Sequence, residues 1–335
     1  MKTRQIFKFI GIPLSLVFLT LAGCSRKSGP DSLTLYSGRS RHLLQPLIDR
    51  FVEDTGIKVN IRYGGTAELA ATIIEEGKNS PADIFFAQDS GSLGAVAKAG
   101  AFNPLPESLI RQVPARFRSP EALWIGISGR ARVIVYNPER VAADELPQSL
   151  NDLTDARWRG RIGWAPMNAS FQSFVTALRV ERGEAAARQW LIAMQANQPQ
   201  VYARNPAILT AVDAGEVDLG LINHYYLHNM QRNQGATLKA ANHIPAEGTL
   251  INVAGVGILK TSRHREQALI LAEYLLDPAA QLYFSESTFE YPLARGAAPN
   301  TDLTPLETIT TPFDDLSQIE DLEGTLKLLR ELNIL

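Results

Sequence analysis

The run Ala122-Leu123-Trp124-Ile125-Gly126-Ile127-Ser128-Gly129-Arg130-Ala131-Arg132-Val133-Ile134-Val135-Tyr136 decides how this chain folds. It is too long for one ordinary strand of ~5–6 residues, and Gly126 and Gly129 offer places to bend. Following a Pro-rich loop from Asn103 to Pro120, it reads as a crossover from one lobe into a second.

Upstream, strands and helices alternate. Leu33 to Tyr36 is a short strand, and Leu43, Leu44, Leu47, Ile48, Phe51 and Val52 recur at helical spacing until Gly56. Ile57, Val59, Ile61 and Tyr63 alternate as a second strand, Leu69, Ile73 and Ile74 mark a second helix, Asp83 to Ala87 a third strand, and Leu93, Val96 and Ala97 a third helix. Such alternation predicts an α/β fold with a mostly parallel sheet, helices on both faces and ligands at the carboxyl ends of the strands. Downstream come a strand from Arg161 to Ala165, a helix burying Phe171, Phe174, Val175 and Leu178, one around Trp190 and Leu191, and one begun by Asn205 as cap with Pro206 at its first position. Thr249 to Leu259 is a second glycine-interrupted apolar strand, a natural return, and Ser262 caps the helix after it. Two crossings make a hinge with a ligand cleft between the lobes. The expected organisation is a first lobe of residues 32–125 and 255–300, a second lobe of 126–254, and a C-terminal helical segment, 301–335, packed on the second lobe.

Inside the second lobe, Leu221-Ile222-Asn223-His224-Tyr225-Tyr226-Leu227-His228 places two adjacent phenols where a strand gives way to a helix. Neighbours on a strand point to opposite faces, so the two converge only if the backbone turns there. A phenol ordinarily loses its proton near pH ~10, but a cation of high charge can remove it near neutrality, so paired tyrosines suit Fe(III). By itself a Tyr-Tyr pair is more often packed by its rings and hydrogen-bonded by its hydroxyls.

Residues 1–24 read as a lipoprotein signal peptide: Lys2, Arg4 and Lys8 are basic, Phe9 to Leu21 largely apolar, and Leu21-Ala22-Gly23-Cys24 resembles a lipobox in which Cys24 receives lipid. Cys24 is the only cysteine, which excludes an internal disulfide. Residues 25–31 read as a tether. Loss of residues 1–23 leaves 30 basic residues against 35 acidic ones, net −5, which gives no footprint for nucleic acid. The remaining chain, with 45% hydrophobic residues overall, is enough for two domains, and no other run is apolar enough to span a bilayer.

Five blocks in order resemble the signature of bacterial ferric-ion-binding proteins, the substrate-binding components of iron(III) ABC transporters: Leu35-Tyr36-Ser37-Gly38-Arg39-Ser40, Glu75 to Asp83, Ser128 to Tyr136, Ile222 to Tyr226, and Glu290-Tyr291-Pro292-Leu293. The resemblance implies a two-lobed periplasmic-binding-protein (Venus flytrap) fold with iron between the lobes. Tyr225 and Tyr226 match the family's paired ligands and Tyr136 a third tyrosine that some members use. Where one branch has a histidine and a glutamate ligand, this chain has Ser40 and Gln88. Three phenolates would neutralise Fe(III) and fill half an octahedron. A synergistic anion, carbonate or similar, is implied for the rest, with Asn168, Ser170, Asn205 and Asn223 at matching positions and Arg39 and Ser40 on the opposite lobe. For Arg39 the alternative is a solvated surface arginine. The resemblance further implies a monomer, outside the cytoplasmic membrane and touching it only through its lipid, that delivers iron to a permease. It does not imply an enzyme.

His224 and His228 share a helical face at a spacing known from zinc sites, but no His-Glu-x-x-His and no third ligand accompany them. His42, His243 and His264 are isolated, and Trp124, Trp158, Trp164 and Trp190 read as core. Two rival functions remain: the same fold holding an organic cation or oxyanion, and a lipid-anchored hydrolase, for which no nucleophile and base stand together.

Overall fold

The computed structural model describes residues 32–335 apart from 236, 299, 312–315, 317, 318 and 320, so the signal, Cys24 and tether expectations lie outside the described residues. In chain order the elements are β1 (Ser32–Ser37), α1 (Arg41–Thr55), β2 (Lys58–Tyr63), α2 (Thr66–Glu76), β3 (Ile84–Ala87), α3 (Ser90–Lys98), α4 (Glu107–Ile110) and β4 (Ile125–Tyr136). Then follow β5 (Ile162–Trp164), α5 (Ala169–Arg182), α6 (Glu184–Ala196), β6 (Gln200–Val201), α7 (Asn205–Ala214), β7 (Leu219–Asn223), α8 (Tyr225–Gln234) and β8 (Ala241–His243). The chain ends with β9 (Ile251–Ile258), α9 (Arg265–Leu276), α10 (Pro278–Thr288), β10 (Tyr291–Pro292) and α11 (Leu322–Glu331). Among the described residues no helix is long and apolar enough to cross a membrane.

The crossover run forms one continuous strand of 12 residues rather than two bent pieces. Its first part, Ile125 to Ala131, pairs antiparallel with β9, and its last, Arg132 to Tyr136, with β7. Strand order β2-β1-β3-β9-β4-β7-β5-β6 thus runs through both lobes, with β4 common to the two. β9 pairs with β3 on its other edge. Gly126 serves close approach more than bending, because a Cβ there would stand 2.6 Å from the Phe117 carbonyl oxygen. The ladder does slip one residue between Gly126 and Ser128.

Apolar burial holds β4 in place. Ile125, Ile127, Val133, Ile134 and Val135 are all at most 2% exposed, and each such side chain stabilises by about 1.5–3 kcal/mol. Trp124, Trp158, Trp164 and Trp190 are core residues, none more than 5% exposed. Right-handed β-α-β crossovers put α1 on one face of the first lobe and α2 on the other. There α10 packs with α1 and α9, and α3 with α2. The faces of α2 and α3 look across to α5 of the second lobe.

The C-terminal segment touches both lobes. The Ile319 carbonyl lies where a Cβ on Gly91 of α3 would stand, and α11 docks on α5 through an Arg179–Asp321 ion pair of 2.8 Å and a buried Thr176–Thr325 hydrogen bond of 2.8 Å.

Candidate functional site

β7 delivers the chain to the cleft and α8 turns it. His224 has helical angles, so Tyr225 and Tyr226 occupy the first turn of α8, and the predicted backbone turn is where their side chains meet. Their ring centroids are 4.4 Å apart, with the ring planes tilted by 37°. Burial is the main force that raises the Tyr226 pKa, with Tyr225 adding to it, while Arg130 and a hydrogen bond with Asn205 act the other way. Without a metal ion the Tyr226 phenol keeps its proton at neutral pH.

His224 is fixed between the lobes. Its Nδ1 accepts from the Ala131 amide at 3.1 Å, so Nε2 carries the hydrogen and donates to the Phe289 carbonyl at 2.7 Å. Burial lowers its pKa to about 4, so the ring is neutral. His228 stacks on Phe289 instead of joining His224 around a metal, and among the described residues no cluster of three or more His, Cys, Asp or Glu side chains is placed to hold one.

Two buried arginines from β4 face the tyrosines. Arg132 donates to Ser170 Oγ at 3.0 Å and to the Leu221 carbonyl at 2.7 Å, and among the described residues it meets no carboxylate and its Nε has no partner. Burial lowers its pKa to about 9, and the two tyrosines oppose that shift. Arg130, two residues earlier and so on the same strand face, donates to the Gln88 carbonyl, and its Nε is likewise unpartnered. The Gln88 amide accepts from Arg130 Nη1 at 3.1 Å and donates to the Gly38 carbonyl at 3.0 Å. Gln88 thereby orients Arg130 and has its oxygen already engaged.

Helix starts complete the wall. Asn168 caps α5 by accepting from the Ser170 amide at 2.9 Å, and Ser170 Oγ receives Asn205 Nδ2 at 3.1 Å. Asn205 is not the predicted cap: Arg204 is, and Asn205 is the first residue of α7. Its amide is therefore free to turn inward, where Oδ1 has no partner. Free N–H groups at such starts and unopposed guanidinium groups make an anion-attracting surface. The cleft has a volume of about 340 Å³; its walls are Gly38, Gly65, Thr66, Glu68, Gln88 and Asp89 on one side and Asn168, Ser170, Asn223, Tyr225 and Tyr226 on the other, with Arg130 and Asn252 between.

Three expected site residues are not brought there. Tyr136 lies four residues beyond Arg132 on β4, some ~13 Å along the strand, with its ring edge-on to His243. Arg39 is not a solvated surface residue: it is 2% exposed, its Nη2 reaches both oxygens of Glu290 at 2.9 Å, so its counter-charge is already supplied within the protein, and its Nε and Nη1 have no hydrogen-bond partner among the described residues. Ser40 is exposed at the start of α1, where its carbonyl accepts the Leu43 and Leu44 amides. Sequence reasoning missed Arg130 and Arg132, whose signal was present as two like-charged residues of the same parity in an otherwise apolar strand. A buried cation needs an anionic partner, and none is offered within that run.

Residues 79–317 match a family described as bacterial extracellular solute-binding protein. The chain is 34% identical over 319 residues to an Fe(3+)-binding periplasmic protein of Serratia marcescens, covering 93% of this chain and 94% of that one. Iron-bound HitA from Pseudomonas aeruginosa superimposes with a TM-score of 0.82 at 32% identity, covering 90% of this chain and 99% of that one. A Trichodesmium protein in complex with iron and citrate ligands does so at 0.80 and 34%, with 90% and 99% covered.

Proposed function

The chain belongs to the bacterial extracellular solute-binding proteins, and from that premise we propose that it captures ferric iron outside the cytoplasmic membrane and delivers it to an ABC-transporter permease. The carrying observation is the adjacent Tyr225–Tyr226 pair at the start of α8, its rings 4.4 Å apart in the cleft wall and facing Arg130 and Arg132. Fe(III) is a hard, highly charged ion that displaces phenolic protons and favours oxygen donors. Tyr136 is left out of the donor set because it stands away from the pair.

The anion's holders are reassigned as well. A carbonate or similar dianion fits Arg130 and Arg132, whose Nε groups lack partners, with the start of α5 at Ser170 and the amides of Asn205 and Asn223 around it. Since these arginines sit on β4, the anion bears on the strand shared by both lobes. Capture needs only tight binding coupled to closure, without chemistry on the solute. Lipidation at Cys24 and a monomeric state complete the reading.

A visible spectrum with metal analysis of the purified protein tests it. Iron-loaded protein should show a phenolate-to-Fe(III) charge-transfer band that strengthens with bicarbonate. Tyr225→Phe and Tyr226→Phe should each lose the band and most of the affinity, since each removes one oxygen. A colourless wild type, or two variants that bind like it, would overturn the reading.

A further inference from the structure

The first lobe has lost the donors expected of it: Ser40 is outside the cleft and the Gln88 oxygen is engaged by Arg130. Two carboxylates nevertheless stand in its cleft wall, Glu68 and Asp89. Asp89 is committed, since it caps α3 by accepting the Ser92 amide at 2.8 Å. Glu68, in the first turn of α2, is exposed, and among the described residues its carboxylate accepts no hydrogen bond and forms no ion pair, only a longer-range charge interaction with Arg62. A Cβ on Gly65 would stand 3.6 Å from Glu68 Oε2, so the carboxylate folds back over the start of its helix, at the cleft face. Moving it breaks no hydrogen bond or ion pair among the described residues.

We propose that Glu68 is the first lobe's metal donor, meeting iron held by Tyr225 and Tyr226 when the cleft closes. This rests on the iron reading above. Charge supports the assignment. Fe(III) with two phenolates keeps one positive charge, and the two buried arginines bring the site to three. A carboxylate neutralises the metal and its protein ligands, and a dianion then balances Arg130 and Arg132. Donors on both lobes also give iron a differential affinity for the closed state, which is what a ligand needs to shift a conformational equilibrium. Glutamate provides a hard oxygen on a side chain with three rotatable bonds, and Glu68 lines the same cleft as Tyr225 and Tyr226.

Glu68→Gln keeps the shape and removes the charge at an exposed site, so the variant should fold as the wild type does. Ferric affinity is measured by competition with a soluble chelator, the band position by visible spectroscopy, and lobe closure by the radius of gyration from small-angle scattering with and without iron. Glu68→Gln should bind at least tenfold more weakly. Its band should move to longer wavelength, because a less charge-compensated iron accepts phenolate electrons more readily, and its contraction on iron addition should be reduced. Glu75→Gln, at an exposed carboxylate of α2 outside the cleft, should change neither band nor contraction. A coloured wild type with an unaltered Glu68→Gln overturns the role of Glu68 alone, as does a band shift produced by Asp89→Asn in its place. A colourless wild type overturns the tyrosine site and Glu68 together.

Discussion

Two kinds of arginine separate at the level of single residues. Arg39 and Glu290 form a buried pair that Ser128 Oγ also joins, and their side chains are 1% and 2% exposed. Removing one partner strands the other charge in a low-dielectric interior, so Arg39→Ala should destabilise the fold by about 3–5 kcal/mol. Chemical denaturation measures that loss, and the bicarbonate dependence of iron binding should be unchanged in whatever folded protein remains. Arg132 is the opposite case. Among the described residues it has no carboxylate to abandon, and its burial already works against its charge. Arg132→Met should therefore leave stability within about 1–2 kcal/mol of the wild type or raise it, in line with buried charges that are replaced by apolar side chains. Iron titrations with and without bicarbonate should then nearly coincide. A full bicarbonate response in Arg132→Met would show that the anion is held elsewhere.

At the scale of elements, α8 acts in two directions. Tyr225 and Tyr226 at its start face the cleft, while His224, His228 and Arg232, four residues apart on one helical face, meet the end of α10 in the other lobe. Arg232 donates to the Glu286 and Ser287 carbonyls, and Asn229 to that of Thr288. These are last-turn carbonyls that α10 cannot satisfy by itself. Phe289 follows at φ +55°, with its ring between His228 at 5.2 Å and Arg232 at 4.8 Å. This contact lies on the α1 face of the first lobe, away from the α2 and α3 face that looks onto the cleft. If the lobes close by rotating about β4 and β9, the back is drawn apart as the front closes, and this contact would then oppose closure. Arg232→Ala should accordingly tighten iron binding, by roughly five- to tenfold if about 1–1.5 kcal/mol of hydrogen bonding is lost. Release in the presence of a competing chelator should slow in step. A weaker-binding variant would mean that the contact persists in the closed form.

Taken whole, the molecule is two lobes on a shared strand, with the C-terminal segment as a further tie between α3 and α5. A ligand that binds only the folded, closed form stabilises by mass action, about 2.7 kcal/mol at a hundred times its dissociation constant. Ferric chelate at that excess should raise the thermal midpoint of the wild type and leave Tyr226→Phe unmoved at the same concentration, which scanning calorimetry measures. Sequence alone determined the features carried by periodicity and adjacency: the strand-helix alternation, the crossover at Ala122 to Tyr136, and the tyrosine pair at a strand-to-helix joint. These are local because side-chain direction repeats every two residues on a strand, and a turn is written in the residues that make it. Only the tertiary structure decided which charges face the cleft. Arg39 found its partner 251 residues along the chain, at Glu290. Tyr136 sits on the correct strand but ran past the cleft, and Asn205 became available only because Arg204 took the cap. Parity assigns a side chain to one of two faces, but packing of distant elements determines which face becomes the cleft and which charges arrive there unpaired.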